Sequence, residues 1–481
     1  MYPVTPVQFS VQEIINITDG QLVRGRLNQM VSRVSTDSRS LCVGDLFLAL
    51  LGEHFDGHNF LSQAVFNGAM GVVVSRVDIS LKKLDVSLVI RVPDTLQAYG
   101  NLAKAHREKF DGPVIAVTGS NGKTTTKEMI NSVLSVKFRV FKSEKNYNNL
   151  IGLPKSLLEL PVQKSEIAVF ELGTNRPGEI ARLTDIVRPT VGLITNIGFS
   201  HIKFLKDLDG VAKEKCSLLK NVSVAILNNN DTKLANIQTD LTTNRVNFGT
   251  DGDVVAENIH LNCNGLASFQ LVINQLDRSI PIHLPCIGYH NVFNALAAAT
   301  VGYWAGLTLE QIKTGLETFR TVQMRLQSIN INGFRIINDA YNANPDSVQS
   351  ALELFSDLHA NGEKIAVLGV TFKANTDDMR DSSSLKMIPH LIKKGAIVNY
   401  YDPTGIKKEF SKYKNVICSK DIKSAISKSD LIIIHTEWND FKSINYKSLV
   451  KNKKFIIFDM RNIYSPLKMK QLNIKYYGVG R

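Results

Sequence analysis

The chain is 481 residues long, enough for about three domains at roughly 100–200 residues each, and 44% of its residues are apolar and 21% charged. That composition excludes a disordered chain, a collagen-like fibre and a disulfide miniprotein. The net charge of +13 sits at one end: residues 364–481 hold 23 Lys+Arg against 10 Asp+Glu, whereas the first 363 residues hold 34 of each.

The basic residues of that end come singly or in pairs (Lys393-Lys394, Lys407-Lys408, Lys453-Lys454), without aromatic platforms between them. This predicts a solvated lysine-rich surface and no nucleic-acid partner. The step in charge itself suggests a segment of different origin. Five scattered cysteines (Cys42, Cys216, Cys263, Cys286, Cys418) with no CxxC pair predict buried, unpaired thiols in a reducing compartment. No apolar run reaches the roughly 18–20 residues of a membrane span, and the start MYPVTPVQFS lacks a basic stretch followed by an apolar one. A cytoplasmic chain without a membrane span is expected.

In chain order, DLFLAL (45–50) and GVVVS (71–75) read as strands and FLSQAVFNGA (60–69) as a helix. The turn DGPV (111–114) precedes a buried strand, VIAVTG (114–119), and marks a first boundary near residue 110. Apolar runs at IAVFELG (167–173), VGLITNIG (191–198) and VAILNNN (224–230), separated by helical stretches, predict a parallel sheet wrapped by helices. HNVFNALAAATVGYWAG (290–306) reads as a helix ending at glycine. After Arg325 the alternation restarts with FRIINDA (334–340), a helix over 346–359, KIAVLG (364–369), a helix over 384–394, AIVNYYD (396–402), LIIIHTE (431–437) and KFIIFDM (454–460). The domains are therefore expected at 1–110, 111–322 and 323–481.

The strongest local signal is VIAVTGSNGKTTTKE (114–128). A buried strand turns through glycines, and Thr124 onward opens a helix. Amides of Ser120, Asn121 and Gly122 would face phosphate oxygens at the positive end of that helix. Lys123 would neutralise the β/γ-phosphates and the Thr124 hydroxyl would ligate Mg²⁺. The spacing is the short TGxxGKT; Val117 stands where the longer phosphate-loop pattern wants glycine.

TGSNGKTTTKE, with NYNNLIGLP (146–154), ELGTNRPGEI (171–180) and TNIGFSHIKFL (195–205), resembles the ATP-binding domain of the Mur ligases, the amide-forming enzymes of peptidoglycan stem-peptide synthesis. STDSRSLCVGDLFLALLGEHFDGHNF (35–60), GYHNVFNALAA (288–298) and INDAYNANPDSVQSAL (337–352) resemble the branch that adds D-alanyl-D-alanine. The resemblance covers about residues 30–369. It implies an α/β fold of three domains: an amino-terminal UDP-substrate domain, a central P-loop parallel sheet and a Rossmann-like carboxyl-terminal domain. It also implies ATP-dependent joining of D-alanyl-D-alanine to UDP-N-acetylmuramoyl-tripeptide through an acyl phosphate by a monomer. ATP and two Mg²⁺ ions are the implied cofactors.

The chemistry needs metal and lysine charge to offset the crowding of anions as phosphate meets carboxylate. Glu171, at a strand end, is placed to hold Mg²⁺ beside Thr124; a helix-capping carboxylate is the bland alternative. The resemblance makes His201 a second metal ligand, where a lone histidine would otherwise read as a packing residue. It makes Lys215 the lysine that the family carbamylates, which requires a neutral amine. Two departures stand out: Cys216 and Ser217 where the family commonly has Gly and Glu, and Ser200 before His201.

ATP contacts are expected from Gly119, Ser120, Asn121, Gly122, Lys123, Thr124 and Thr125. Asn291 and Asn294 would present amides to adenine, or else cap their helix, and Arg325 would reach ATP. Substrate contacts are implied for Asp37, Ser38, Arg39, Asn149, Asp339, Asn342 and Asn344, although Asn344 before Pro345 is also simple extended-turn chemistry.

After KIAVLG the pattern changes. VTFKANTDDMRDSSSLKMIPHLIKKGAIVNYYDP (370–403), HTEWNDF (435–441) and DMRNIYSPLKMKQLNIKYYGVGR (459–481) resemble the carboxyl-terminal UDP-binding domain of UDP-glucose 6-dehydrogenases, so that 323–369 is ligase-like and 370–481 dehydrogenase-like. Lys373, Arg380 and the TEW turn are the candidates for residual UDP-sugar affinity. Dehydrogenation is not expected: no GxGxxG follows an early strand, no cysteine sits in a glycine-rich loop, and NAD is not an expected cofactor. The hybrid end is expected to leave ATP binding intact and to reduce or abolish ligation. Two other readings are a non-catalytic nucleotide- and UDP-sugar-binding fusion product and a UDP-glucose 6-dehydrogenase fragment. A folate polyglutamate enzyme is disfavoured by FDGH and DAYNANP.

Overall fold

VIAVT, IAVFE and VAILN carry no polar alternation, because every residue of all three strands is buried in a sheet covered on both faces. The computed structural model describes the chain apart from residues 1–8, 53–55, 78–83, 145–146, 239–242, 263–264, 277, 322–326, 332–333, 339–363, 373, 380–381, 394, 450–454, 462 and 479–481. It divides into two units, one of Met1–Val255, Ile273–Arg278 and Ala295–Gly315, the other of Ala256–Val272, Ser279–Asn294 and Leu316–Arg481. Among the described residues no helix is long and apolar enough to cross a membrane.

The first unit begins with α1 (Val11–Thr18), closed by a reciprocal Ser10–Glu13 capping box. Five short strands follow: β1 (Gln21–Arg24), β2 (Arg33–Ser35), β3 (Asp45–Leu48), β4 (Gly71–Val74) and β5 (Leu88–Arg91). They form a sheet in the order β1-β5-β4-β3-β2, antiparallel only between β1 and β5. The helix expected over 60–69 is shorter, α2 (Leu61–Phe66), since the chain turns at Asn67 into Gly68 at φ +102°.

Helix α3 (Thr95–Arg107) starts at Asp94, whose carboxylate accepts the Gln97 amide. It buries Tyr99, Leu102 and Ala103 in one apolar core with Leu46 and Leu88 of this sheet and Val114, Ala116, Ala168 and Phe170 of the next.

That second sheet carries β6 (Val114–Thr118), α4 (Lys123–Leu134), β7 (Val140–Lys142), α5 (Gly152–Leu158), β8 (Ile167–Glu171), α6 (Glu179–Val187), β9 (Val191–Ile194), α7 (Leu208–Cys216), β10 (Val224–Asn228) and β11 (Asn244–Gly249). The strands run parallel in the order β7-β8-β6-β9-β10-β11. Strand β6 is central, with β8 on one side (Val117 opposite Glu171) and β9 on the other (Thr118 opposite Ile194). Three carboxyl-terminal strand ends therefore lie side by side, the place where parallel α/β sheets bind ligands. The carboxyl end of α6 is capped by Arg107, whose guanidinium donates to the Val187 and Arg188 carbonyls.

In the second unit, β12 (Val254–Leu261), β13 (Leu266–Ile273) and β14 (Arg278–Ile287) are neighbours in that order. Helix α8 (His290–Trp304) follows, its first turn in the second unit and its residues from Ala295 onward in the first, and in the second unit β15 (Gln327–Ile331) and β16 (Phe334–Asn338) form an antiparallel hairpin. The last segment holds β17 (Lys364–Leu368), α9 (Ser384–Lys393), β18 (Ile397–Tyr401), β19 (Val416–Cys418), α10 (Ile422–Ile426), β20 (Leu431–Ile434), β21 (Ile456–Asp459), α11 (Pro466–Gln471) and β22 (Lys475–Gly478). Its all-parallel sheet runs β19-β18-β17-β20-β21-β22. Successive residues of β17 point to opposite faces, so Ile365 and Val367 enter one apolar layer and Ala366 and Leu368 the other.

The thiols differ from expectation. Cys286 is buried, but Cys216 and Cys418 are half-buried and Cys42 is exposed, in a turn held by its amide donating to Asp45 Oδ2 at 2.7 Å. Cys263 lies outside the described residues.

Candidate functional site

The loop Gly119–Gly122 joins the central strand β6 to α4. Gly119 has φ +149°, and a Cβ there would lie 1.9 Å from Thr195 Oγ1; Gly122, the residue before α4, has φ +80°. Both positions need glycine, the first for close approach and the second for a left-handed turn. No side chain caps this end of the 12-residue helix, which leaves its positive pole facing the loop, as an anion site requires.

Beside the loop, Thr124 Oγ1 donates to Glu171 Oε2 at 2.8 Å, and Asn148 Nδ2 donates to Glu171 Oε1, also at 2.8 Å. Glu171 is only 2% exposed. It does not cap a helix; it ends β8 with its carboxylate held between two donors. Lys123 turns its ammonium onto the Gly119 and Ser120 carbonyls (2.7 and 3.1 Å). From α7, Lys215 reaches the same Gly119 carbonyl at 2.9 Å. Burial, and then the charge of Lys123, bring the Lys215 pKa down from 10.5 to about 7. Its helix neighbour Glu214 faces the other way, accepting the Gly178 and Ile180 amides at the start of α6 and fixing the rotation of α7. The departure at Cys216 is a half-buried thiol that burial pushes up to about 12.

His201 begins the short helix Ile202–Leu205 with φ +54°. Its pKa is lowered by partial burial and by the charges of Lys215 and Lys123. The ammonium of Lys123 therefore sits where a phosphate in the loop would meet it.

The sequence assigns the Ser120 and Asn121 amides to phosphate. In the structure they donate to Asn196, Ser120 N to its carbonyl at 3.0 Å and Asn121 N to its Oδ1 at 2.9 Å. Thr125 lies half-buried in the first turn of α4. Asn149 is exposed and caps α5, its Oδ1 accepting the Ile151 and Gly152 amides, while its neighbour Asn148 reaches Glu171. In the second unit, Asn291 and Asn294 bond each other at 2.8 Å, and Asn291 Nδ2 donates to the Ile287 carbonyl.

Asp37, Ser38 and Arg39 occupy the loop between β2 and β3. Asp37 pairs with Arg39 at 2.9 Å, and Arg39 holds its pKa at about 2. Ser38 is buried and donates to Gln63. Arg325, Asp339, Asn342 and Asn344 lie outside the described residues, as do Lys373 and Arg380.

Asn148 and Asn196 are the site neighbours that sequence reasoning missed. The paired asparagines of NYNNLIGLP and the TNIG run were visible, but strand order and register were needed to show which side chains meet the loop.

Among the described residues no three His, Cys, Asp or Glu side chains gather as a metal cage. The oxygen pair of Thr124 and Glu171 nonetheless fits Mg²⁺, which takes one or two carboxylates and completes its shell with water and phosphate. In the last segment, the residue that a dinucleotide fold would offer to ribose is Asp402, just after β18. Its carboxylate is buried, accepting the Val370 amide at 2.8 Å and the Thr404 amide at 3.0 Å.

Three family models match: the Mur ligase family catalytic domain at residues 30–107, the Mur ligase middle domain at 117–302, and the UDP binding domain of the UDP-glucose/GDP-mannose dehydrogenase family at 366–466. UDP-N-acetylmuramoyl-tripeptide--D-alanyl-D-alanine ligase from Bacillus subtilis is 37% identical over 368 residues, 76% of this chain and 79% of that protein. The crystal structure of MurF from Acinetobacter baumannii superposes with a TM-score of 0.74 at 30% identity, covering 99% of this chain and 96% of that one. MurF ligase from Thermotoga maritima, solved in complex with ADP, gives a TM-score of 0.66 at 25% identity, with 93% of each chain covered.

Proposed function

Because this chain belongs to the Mur ligase family, we propose that it joins D-alanyl-D-alanine to UDP-N-acetylmuramoyl-tripeptide at the expense of ATP, by way of an acyl phosphate. The observation that carries this reading is the buried Glu171 carboxylate bonded to the Thr124 hydroxyl beside the glycine loop of β6, with Lys123 and Lys215 converging on the Gly119 carbonyl.

A carboxylate resists attack by an amine because its leaving group would be oxide, so the γ-phosphoryl must first be moved onto it. Lys123 supplies charge against the phosphates and leaves the loop carbonyls when they bind. Thr124 and Glu171 would hold Mg²⁺, with His201 beside a second ion, and the metal would neutralise charge as phosphate and carboxylate approach. Asn148 fixes the carboxylate rotamer of Glu171. Lys215, with a pKa of about 7, has the neutral amine that carbamylation needs, and the carbamate would add a further oxygen ligand. Asp37, Ser38, Arg39 and Asn149 are proposed for the UDP-linked substrate, and Asn291 and Asn294 for adenine. The division at residues 110 and 322 is proposed as the substrate, ATP and closing domains.

The test is phosphate release by the purified chain with UDP-N-acetylmuramoyl-tripeptide, D-alanyl-D-alanine, ATP and Mg²⁺, and the pentapeptide product by mass spectrometry. Turnover is expected below that of an intact D-alanyl-D-alanine-adding enzyme, because near-attack geometry tolerates a misplacement of only about 1 Å before losing roughly a hundredfold in rate. Lys123→Ala should abolish it. The match at 366–466 supports a second reading, a nucleotide- and UDP-sugar-binding protein without ligation. In that case product is missing and Lys123→Ala changes no turnover.

A further inference from the structure

The segment Thr195–His201 holds the phosphate loop through side chains that the reaction does not itself use. Asn196 makes a two-way pair with Asn121, accepting its amide at Oδ1 (2.9 Å) and donating Nδ2 to its carbonyl (3.1 Å). Thr195 Oγ1 donates to the same carbonyl at 2.6 Å. On the far side, Asp231 after β10 accepts the Ile197 amide at 2.6 Å, so the segment is anchored from both flanks.

The Ser120 hydroxyl completes the lock. It donates to the Gly198 carbonyl at 2.9 Å, accepts the Gly198 amide at 2.8 Å and lies 3.0 Å from Ser200 Oγ. A hydroxyl has one proton and two acceptor sites. With its proton on Gly198 and one acceptor site taken by the Gly198 amide, Ser120 accepts from Ser200. All three positions are then filled, in a place where Ser120 and Ser200 are both buried. The next residue is His201, at φ +54°, a conformation that a side-chain-bearing residue keeps only when its surroundings hold it.

We propose that Asn196, Ser120 and Ser200 are positioning residues that make the phosphate loop and the His201 turn one rigid body, so that nucleotide in the loop and divalent metal at the turn bind cooperatively. The proposal rests on the reading of the β6–α4 loop as an ATP site.

The test measures binding of a fluorescent ATP analogue with Mg²⁺ and with EDTA, together with amide hydrogen exchange of the nucleotide-free chain. Ser200→Ala should weaken binding with Mg²⁺ about fivefold, the size of one lost hydrogen bond, and binding in EDTA less than about twofold. Ser120→Ala, which removes all three bonds of its hydroxyl, should weaken binding with Mg²⁺ more than Ser200→Ala does, and the double variant no more than Ser120→Ala alone, since the Ser200 bond is already lost with Ser120. Ser200→Thr, which keeps the hydroxyl, should restore the wild-type value. In the nucleotide-free Ser200→Ala chain, the amides of Ser120, Asn121 and Gly198 should exchange faster together.

Equal weakening with and without metal, or a double variant equal to the product of the singles, would overturn the clasp. If the wild type bound no nucleotide, the ATP reading would fail instead. The exchange measurement would then decide the clasp alone, and unchanged protection at Asn121 and Gly198 in Ser200→Ala would reject it.

Discussion

Lys215 should change from a cation to a nucleophilic amine as the pH passes neutrality. An ordinary lysine with a pKa near 10.5 is neutral in about one molecule per thousand at pH 7.5; at about 7, Lys215 is neutral in roughly three of four. The causes are its burial, at 2% exposure, and the Lys123 ammonium sharing the Gly119 carbonyl. Carbon dioxide adds to a neutral amine, forming an N–C bond with loss of a proton. Carbon-13 NMR of the metal-free chain in labelled bicarbonate should therefore show a carbamate carbonyl that grows with a midpoint near pH 7. Lys215→Arg should lack it, and Lys123→Met should move the midpoint to higher pH, because without the neighbouring positive charge the protonated Lys215 amine is less strongly opposed and its pKa rises. No carbonyl signal at saturating bicarbonate, or a midpoint above pH 9, would refute the claim that burial and Lys123 set this amine.

Thr124→Val keeps the shape of the side chain and removes the hydroxyl bonded to Glu171. The Mg²⁺ concentration giving half-maximal phosphate release should rise about tenfold, consistent with losing a bond to a charged group, and a metal titration of turnover checks it. Asp402→Asn replaces the buried carboxylate that accepts the Val370 and Thr404 amides. Urea unfolding followed in the second unit should show a loss of about 1–3 kcal/mol. His435 is held at about 4 by burial and by the Arg461 charge. The unfolded chain takes up this proton first as the pH falls, so stability is whole above about 6.5 and declines toward 4, by up to about 3 kcal/mol. His435→Gln should flatten that part of the curve in denaturant titrations between pH 4.5 and 7.5.

The apolar runs were legible because a sheet covered on both faces leaves no room for alternation, and the five-residue strands β6, β8 and β10 fall inside the predicted ones. The phosphate loop was legible because its glycines answer a local need, at Gly119 and Gly122. Partners across strands were not. That Asn196 occupies the Ser120 and Asn121 amides depends on β9 lying next to β6, a fact of strand order that no local window contains. The choice between Asn148 and Asn149 likewise turns on a backbone rotation: one side chain faces Glu171 and the other folds back to cap α5. The end of α2 was overread because Phe66, although in helical phase, is 88% exposed and buries nothing that would extend the helix toward Gly68.

The carboxyl-terminal sheet is stitched entirely from its own thread. Strand β17 finds both of its ladder partners, β18 and β20, downstream of itself, and the border strands β19 and β22 also come after it. Among the described residues, every ladder of this sheet lies within 364–481, so a gene acquiring the stretch from β17 onward would import a finished cassette. Grafting then demands little at the seam: a short strand, Lys364–Leu368, greasy enough on either side to serve two lineages.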